Sequence, residues 1–324
     1  SEILRLLKES DDYISGQQMC DRFHVSRTAV WKAIEQLKKE GYEIEAVRNR
    51  GYRLLESPDV MSETEIRSLM DTEWAGKNIV YFDEIDSTNN RAKELGEKDG
   101  VHGTLFVADR QVAGKGRRGR VWESPKGISI YMTILLRPDL IPTKAPMLTL
   151  VMAQSVAEGI REVTGMETGI KWPNDIVMNK KKVCGILTEM STEIDYINYV
   201  VIGVGINVNQ KVFDEELKEK ATSLMIETGA PVKRSALIAA VMKHFEKNYA
   251  LFMENGDLFG LQESYNEMLV NRGKEVRILE PGNEYNAHAY GINETGELIV
   301  RTQKGEEKHI FAGEVSVRGI YGYV

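Results

Sequence analysis

The chain has 324 residues and a formal charge of −7, with 42% hydrophobic and 28% charged residues. This balance is that of an ordinary globular protein and excludes a disordered or fibrous chain, and the length predicts two or three domains. Because the molecule as a whole is acidic, any contact with nucleic acid has to come from a local basic patch.

The cysteines and histidines form no recognisable metal or disulfide pattern. Cys20 and Cys184 lie far apart, and neither Cys-x-x-Cys nor His-Glu-x-x-His occurs. We therefore expect a reducing compartment, no disulfide and no bound transition metal. No apolar run reaches the ~18 residues of a membrane span, and the charged N-terminal segment does not resemble a signal peptide. These features predict a cytoplasmic protein that does not contact the membrane.

Residues 1–61 predict three short helices followed by a β-hairpin. Ser15 with Gln18 has capping-box spacing for the second helix, and Ser26 begins the third. The hairpin tip falls at residues 48–51, and the whole pattern is that of a winged helix-turn-helix. Such a domain binds DNA through the start of its third helix and through its wing, although it can also dock proteins. The candidate DNA-binding residues are Ser26, Arg27, Thr28, Lys32, Arg48 and Arg50.

The sequence Ser57-Pro58-Asp59 marks a boundary, and Ser62 with Glu65 forms a second capping-box pattern. From residue 62 to residue 270, predicted strands alternate with amphipathic helices, which indicates a mixed α/β domain. The strands are predicted at 105–108, 128–136 and 199–204, and the helices at 145–163 and 234–252. From residue 271 to residue 324, short segments at 276–279, 284–292, 296–301 and 308–311 are separated by turn residues, which predicts a small β-barrel or sandwich.

The segment Gly114-Lys-Gly-Arg-Arg-Gly-Arg120 is the most informative in the chain. Its glycines match the dinucleotide-binding fingerprint, but the following Val121–Gly127 cannot begin the helix which that fingerprint requires. The loop instead offers accessible backbone N–H groups and four cations, a combination suited to phosphate or carboxylate groups. A solvated basic loop or a nucleic-acid contact would have the same composition.

Two further segments carry candidate binding groups. Lys171-Trp-Pro-Asn-Asp175 lies between two predicted strands, and Gly203-Val-Gly205-Ile-Asn207 closes another strand with glycines that permit close approach of a ligand. Taken alone, either segment could be a simple turn.

Together the motifs resemble one family, the biotin–protein ligases, in the bifunctional form that also represses biotin synthesis genes. The motifs occur in family order and extend over the catalytic and C-terminal parts. The matching segments are residues 86–89, Gln111 with residues 114–120 and Trp122, residues 171–175, Lys182 with residues 185–187, residues 203–207 and the closing segment 312–318.

The resemblance implies a multidomain α+β protein: a winged helix-turn-helix, a class II synthetase-like catalytic domain and an SH3-like β-barrel, at residues 1–61, 62–270 and 271–324. It implies that biotin and ATP, with Mg²⁺, form biotinyl-5′-AMP, and that biotin then passes to a lysine of a biotin carboxyl carrier domain of acetyl-CoA or pyruvate carboxylase. It also implies that the adenylate promotes a homodimer that binds operator DNA.

The resemblance also assigns residues by position. The biotin-binding set is Ser87, Thr88, Asn89, Gln111, Gly114, Lys115, Arg117, Lys182, Gly185 and Gly203. The nucleotide-binding set is Arg117, Arg120, Trp122, which should stack on adenine, and Asn207. The catalytic set is Arg117, Lys171, Asp175 and Lys182. One departure is Lys115, where the family usually has arginine.

Two other interpretations stay open. A lipoate or octanoate ligase would share the catalytic fold, and a biotin-sensing repressor without ligase activity would share the winged helix. The glycine–arginine loop and Lys171–Asp175 favour biotin over the first, and the intact Arg117, Lys182, Asp175 and Asn207 argue against the second.

Overall fold

The computed structural model describes residues 2–280, 282–311, 316–319 and 323–324. The chain divides into two compact units, one formed by Ser1–Met70 with Lys233–Ala239 and the other by Asp71–Val232 with Ala240–Val324. Within the described ranges, no helix combines the length and the apolar character needed to cross a membrane.

The first unit has the predicted winged-helix elements. They are α1 (Glu2–Lys8), α2 (Gly16–Phe23), α3 (Arg27–Lys39) and the antiparallel pair β1 (Glu43–Val47) and β2 (Gly51–Glu56). The unit also contains α4 (Glu63–Leu69), which follows the second predicted capping box and was not predicted as part of the winged helix. Ser15 and Gln18 form the complete capping box of α2, and the Ser26 hydroxyl caps α3 by accepting from the Ala29 amide. Apolar residues of α1, α2, α3 and β1 form one core.

The second predicted capping box forms only in part. The Ser62 hydroxyl accepts from the Glu65 amide, as expected, but the Glu65 carboxylate does not return to Ser62. It is buried instead, where it accepts hydrogen bonds from Lys8 and from the Tyr42 hydroxyl. An ion pair and a phenol hydrogen bond compensate the carboxylate for lost hydration, and this outweighs a cap on the surface of the helix.

The second unit contains a seven-stranded sheet in the order β3-β4-β5-β9-β8-β7-β6. Its strands are β3 (Ile79–Phe82), β4 (Leu105–Ala108), β5 (Ile130–Leu136), β6 (Gly169–Lys171), β7 (Asp175–Met178), β8 (Lys181–Thr192) and β9 (Ile197–Ile206). Only β3 and β4 pair in parallel; every other neighbouring pair is antiparallel. The mixed α/β prediction is confirmed.

Helices cover this sheet where its strands are most apolar. The helices that follow in chain order are α5 (Thr88–Gly96), α6 (Met147–Thr164), α7 (Leu224–Thr228), α8 (Arg234–Asn255) and α9 (Gln262–Met268). Helix α5 packs on β4, β5 and β9, and α6 packs on β6 to β9. Every residue of β4 and β5 is buried, as expected for strands covered on both faces.

A five-stranded antiparallel sheet ends the chain, in the order β13-β12-β11-β10-β14. Its strands are β10 (Lys274–Glu280), β11 (Asn283–Ile292), β12 (Leu298–Thr302), β13 (Glu307–Ile310) and β14 (Ser316–Gly319). The first four were predicted; β14 was not. Residues 312–315, which open the closing family motif, lie outside the described residues.

His244 gives the second unit a stability that depends on pH. Its imidazole lies between Glu158 and Glu162, 3.3 Å and 2.7 Å from their carboxylate oxygens. The hydrogen bond to Glu158 raises the pKa of His244 above its usual value, with help from Glu162 and against an opposing effect of burial. The protonated imidazole therefore stabilises the fold below the pKa of the unfolded chain, and this contribution disappears as the pH rises through the folded-state pKa.

We expect His244→Gln to lower the free energy of unfolding by roughly 1 kcal/mol near pH 5.5 and by less at pH 9. Urea unfolding at both pH values measures the difference. His102→Gln is the contrasting variant, because burial lowers the pKa of His102 and reverses the sign of its pH dependence. A His244→Gln effect that grew with pH would contradict the assignment.

Candidate active site

An inner cavity opens on the central sheet between α5, the β4–β5 connection and the ends of β8 and β9. Nine of the ten residues predicted to bind biotin line it; the tenth, Gly114, is not among its lining residues. Those that line it are Ser87, Thr88, Asn89, Gln111, Lys115, Arg117, Lys182, Gly185 and Gly203.

The end of this cavity nearest α5 is a connected polar network. The side-chain oxygen of Gln111 accepts a hydrogen bond from the backbone N–H of Thr88 at 2.9 Å and another from the Thr88 hydroxyl at 3.1 Å. The Thr133 hydroxyl of β5 lies within hydrogen-bond distance of the Thr88 hydroxyl and of Asn89 Oδ1, and the Ser124 hydroxyl accepts from the side-chain amide of Gln111. Fixed donors and acceptors at a buried end suit a small polar head group that would be costly to bury without partners.

The glycines of β8 and β9 make room for two side chains. A Cβ atom on Gly203 would lie 2.2 Å from Asn89 Oδ1, and one on Gly205 would lie 2.6 Å from the indole of Trp122. A Cβ atom on Gly185 would also meet this indole, at 2.8 Å. Trp122 therefore lies directly against the backbone of both strands, at the boundary of the inner cavity.

The glycine–arginine loop folds as a tight turn rather than as the start of a long helix. Residues Arg117–Gly119 form one 3₁₀ turn, with Arg118 in a left-handed conformation at φ 57°. The Gly116 amide closes the turn on the Arg120 carbonyl at 2.7 Å. The turn points Arg117 inward, where its guanidinium donates to Asn174 at 3.0 Å. Lys115 is exposed at the rim of the inner cavity and donates to Asn90 at 3.2 Å. This exposed position accommodates a lysine where the resemblance led us to expect an arginine.

An outer cavity adjoins the inner one. The predicted nucleotide-binding residues Arg120, Trp122 and Asn207 line it together with Lys171 and Asp175. Five residues line both cavities and so form the junction between them: Gly116, Arg117, Trp122, Asn174 and Lys182. Burial lowers the pKa of the Arg117 guanidinium against the opposing charge of Asp175.

Asp175 connects the cations of the outer cavity. Its Oδ1 lies 2.7 Å from Lys182 Nζ, so the two groups form an ion pair. The geometry of this contact does not meet the criteria for a hydrogen bond. The Tyr323 hydroxyl donates to Oδ2, and Lys171 Nζ lies 3.4 Å from the centre of the Tyr323 ring. Burial lowers the pKa of Lys171 to about 8; Lys182 also lowers it, while Asp175 opposes the shift.

This arrangement defines what the site can do chemically. A small acid held in the inner cavity would direct its carboxylate towards Arg117 and Lys182, and a phosphate group in the outer cavity would meet the same two cations. A carboxylate and a phosphate repel each other and can come into contact only when nearby cations neutralise their charge. The junction therefore suits activation of a carboxylate by a nucleotide. Among the described residues, no group of three or more metal-ligating side chains occurs.

Sequence reasoning missed four residues of this site. Thr133, Ser124, Asn174 and Tyr323 complete its hydrogen bonds, yet only Asn174 lies in a segment that the sequence had singled out. Thr133 could have been found as the one threonine in the apolar run of β5. Nothing in the sequence near Tyr323 indicates its position.

The predicted DNA-binding residues are all exposed on the first unit. Thr28 and Lys32 are exposed on α3, and the Arg27 guanidinium is held by Gln17 at 2.9 Å. The wing exposes Arg48 and Arg50, and Arg50 stacks on Tyr13 at 4.4 Å.

Family models match three parts of the chain. Residues 1–53 match an HTH domain, residues 81–207 match the biotin/lipoate A/B protein ligase family, and residues 273–318 match the biotin protein ligase C-terminal domain. The fold and the site thus define an acyl-activating ligase domain joined to a DNA-binding domain.

Similar proteins identify the family. The bifunctional ligase/repressor BirA of Bacillus subtilis is 43% identical over 98% of both chains, and that of Escherichia coli is 28% identical over 96% of this chain and 95% of its own. The biotin protein ligase of Aquifex aeolicus in complex with biotin and ATP superimposes with a TM-score of 0.67 at 34% identity, covering 75% of this chain and 99% of that one. The chain belongs to the bifunctional biotin ligase/repressor family.

Proposed function

We propose that this chain is an ATP-dependent biotin–protein ligase and a biotinyl-5′-AMP-dependent repressor of biotin synthesis and transport genes. The observation that carries the ligase activity is the junction, where Arg117 and Lys182 line both cavities. The similarity to ligases solved with biotin and ATP supports the two substrates.

In the first step, biotin occupies the inner cavity. The ureido group bonds to the network of Thr88 and Gln111, and Ser87 and Asn89 complete its surroundings. The biotin carboxylate attacks the α-phosphate of ATP, a new C–O–P link forms, and pyrophosphate leaves with the electrons of the broken P–O bond. Arg117 and Lys182 stabilise the charge that builds on both groups. ATP enters as its Mg²⁺ complex, and the phosphates and water are the natural ligands of this ion.

The nucleotide occupies the outer cavity. Arg120 contacts its phosphates, and Asn207 faces the base. Trp122, which lies between the cavities, is the stacking residue for adenine. Lys171 reaches the phosphates from the end of β6, where the arriving negative charge stabilises its ammonium.

In the second step, a lysine of a biotin carrier domain of acetyl-CoA or pyruvate carboxylase accepts biotin. The acceptor ammonium loses one proton through Asp175 to water, and its lone pair attacks the biotinyl carbonyl carbon. The amide C–N bond forms, the C–O bond to AMP breaks, and AMP leaves with the bonding pair. The second proton of the nitrogen is lost as the tetrahedral intermediate collapses.

Repression follows from joining this reaction to the winged helix. Biotinyl-5′-AMP favours a homodimer that bridges two operator half-sites, with Ser26, Arg27, Thr28 and Lys32 at the bases and the wing at the backbone. Carrier protein that lacks biotin consumes the adenylate and so relieves repression. The protein acts in the cytoplasm.

Arg48→Ala on the wing is expected to weaken DNA binding and to reduce the slope of log K against log salt by about 1, the loss of one phosphate contact. Fluorescence anisotropy with a selected operator duplex at several salt concentrations measures both. Lys304→Ala, in an exposed turn of the C-terminal sheet in the second unit, removes one positive charge as a matched control. An equal change for the two variants would contradict the wing contact.

The domain limits we propose are 1–61 for the winged helix, 62–270 for the class II synthetase-like catalytic domain and 271–324 for an SH3-like barrel. The C-terminal sheet supports the last, because its five short antiparallel strands bury alternate residues such as Val276, Ile278 and Val300.

The nearest alternative function differs in the acid that the enzyme would activate. A lipoate or octanoate ligase needs a long apolar tunnel, whereas the inner cavity ends in the Thr88–Gln111–Thr133 network. Thermal unfolding with biotin, lipoate and octanoate tests this directly. We expect stabilisation of about 3 kcal/mol by biotin at 100 times its Kd and none by the other acids. Stabilisation by lipoate alone would reassign the substrate.

A further inference from the structure

The C-terminal Tyr323 contacts the catalytic carboxylate of the proposed reaction. Its hydroxyl donates to Asp175 Oδ2, and its ring lies on the Lys171 ammonium at 3.4 Å. The residue lines the outer cavity together with Arg318 of β14. Tyr323 follows the last strand of the C-terminal sheet, so this part of the chain contributes to a cavity lined mainly by the central sheet and its connections.

Tyr323 and Lys182 together engage both oxygens of Asp175. Lys182 Nζ lies against Oδ1 and the phenol hydroxyl against Oδ2. In the proposed second step, the acceptor amine donates to Asp175, and Lys182 is needed at the junction to hold the adenylate. The oxygen that can be released for the acceptor is therefore Oδ2, the one to which Tyr323 donates.

The phenol and the acceptor amine are chemically alike at this position. Each is a hydrogen-bond donor on a chain long enough to reach Oδ2, and both cannot donate along the same direction. The aromatic ring also covers the Lys171 ammonium. If the Tyr323 side chain left this position, that ammonium would be exposed to the outer cavity. In this structure the phenol therefore covers the carboxylate that receives the acceptor's proton in the proposed reaction.

We propose that Tyr323 is a positioning residue that occupies the acceptor position on Asp175, and that the carrier lysine must displace its hydroxyl before biotin is transferred. This inference rests on the proposed ligase function. It makes the C-terminal residues a determinant of how readily carrier protein competes for the bound adenylate. An adenylate that is covered in this way is also shielded from water until a carrier domain arrives.

Single-turnover transfer from preformed biotinyl-5′-AMP to a biotin carrier domain tests this inference. Tyr323→Phe removes the hydroxyl and keeps the ring on Lys171. We expect the carrier concentration for half-maximal rate to fall about tenfold, the equivalent of ~1.4 kcal/mol for a hydrogen bond to a charged group, with no loss of maximal rate. A chain ending at residue 322 should show the same fall and should also lose the adenylate to water faster.

Tyr285→Phe is the matched control, because Tyr285 donates to Glu280 within the C-terminal sheet and lies outside both cavities. It should leave the transfer kinetics unchanged. An unchanged or raised half-saturating concentration for Tyr323→Phe would overturn the inference while leaving the ligase intact. Failure of the unaltered protein to transfer biotin at all would overturn the proposed function, and the inference with it.

Discussion

Arg117→Ala is expected to slow adenylate formation by about 100- to 1000-fold, the usual cost of removing one group that stabilises developing charge. Arg117 lines both cavities, and its guanidinium is already directed inward by the hydrogen bond to Asn174. Its partial burial strengthens its interaction with an anion because little water competes. Biotin-dependent exchange of pyrophosphate into ATP measures this step alone.

Arg117→Lys separates charge from geometry. A lysine restores a cation but cannot bond to carboxylate and phosphate oxygens with a planar fork, so we expect only partial recovery. Arg110→Ala is the control, because Arg110 lies just before the loop, is exposed, and pairs with Glu84. If Arg117→Ala changed exchange no more than Arg110→Ala, the junction would not be the site of carboxylate activation.

Asp175→Asn is expected to slow biotin transfer from preformed adenylate by about 100-fold, the lower range for losing a positioned proton acceptor. Adenylate formation should fall much less, because Arg117 and Lys182 remain. The variant also removes the negative charge that opposes the lowering of the Lys171 pKa. That pKa, which is about 8 in the folded protein, should therefore fall further, and the pH dependence of nucleotide binding should move to lower pH.

Separate assays of the two half-reactions distinguish this effect from simple misfolding. Asp83→Asn provides the control, because Asp83 is an exposed aspartate 4.0 Å from Lys126. A variant that lost both half-reactions equally would show that Asp175 only holds Lys171 and Lys182 in place. Undiminished transfer would remove Asp175 from the chemistry altogether.

The sequence predicted the elements whose side chains follow a local rule. Ser15 and Gln18 form their capping box, and the apolar period of α3 places Val30, Ile34 and Leu37 in the core. The glycines of β9 were expected to permit a close approach. They do so, although the groups that approach in this structure are the protein's own Asn89 and Trp122.

What the sequence could not predict depends on contacts between distant segments. Glu65 has the spacing of a helix cap, but Tyr42, 23 residues away, and Lys8 supply a buried alternative. Tyr323 reaches Asp175 across 148 residues of chain, a contact that no periodicity encodes. The order of strands in the central sheet, in which β9 separates β5 from β8, likewise sets the cavities and is not readable from the strands themselves.

The central claim is that one chain both activates biotin and transfers it to protein. The most direct test combines the protein, ATP with Mg²⁺, biotin and a biotin carrier domain in one reaction and measures the intact mass of the carrier. The account predicts a gain of one biotinyl group that requires ATP and disappears when the acceptor lysine is replaced. An unchanged carrier mass, with biotin still bound tightly, would contradict it and leave a biotin-sensing repressor without ligase activity.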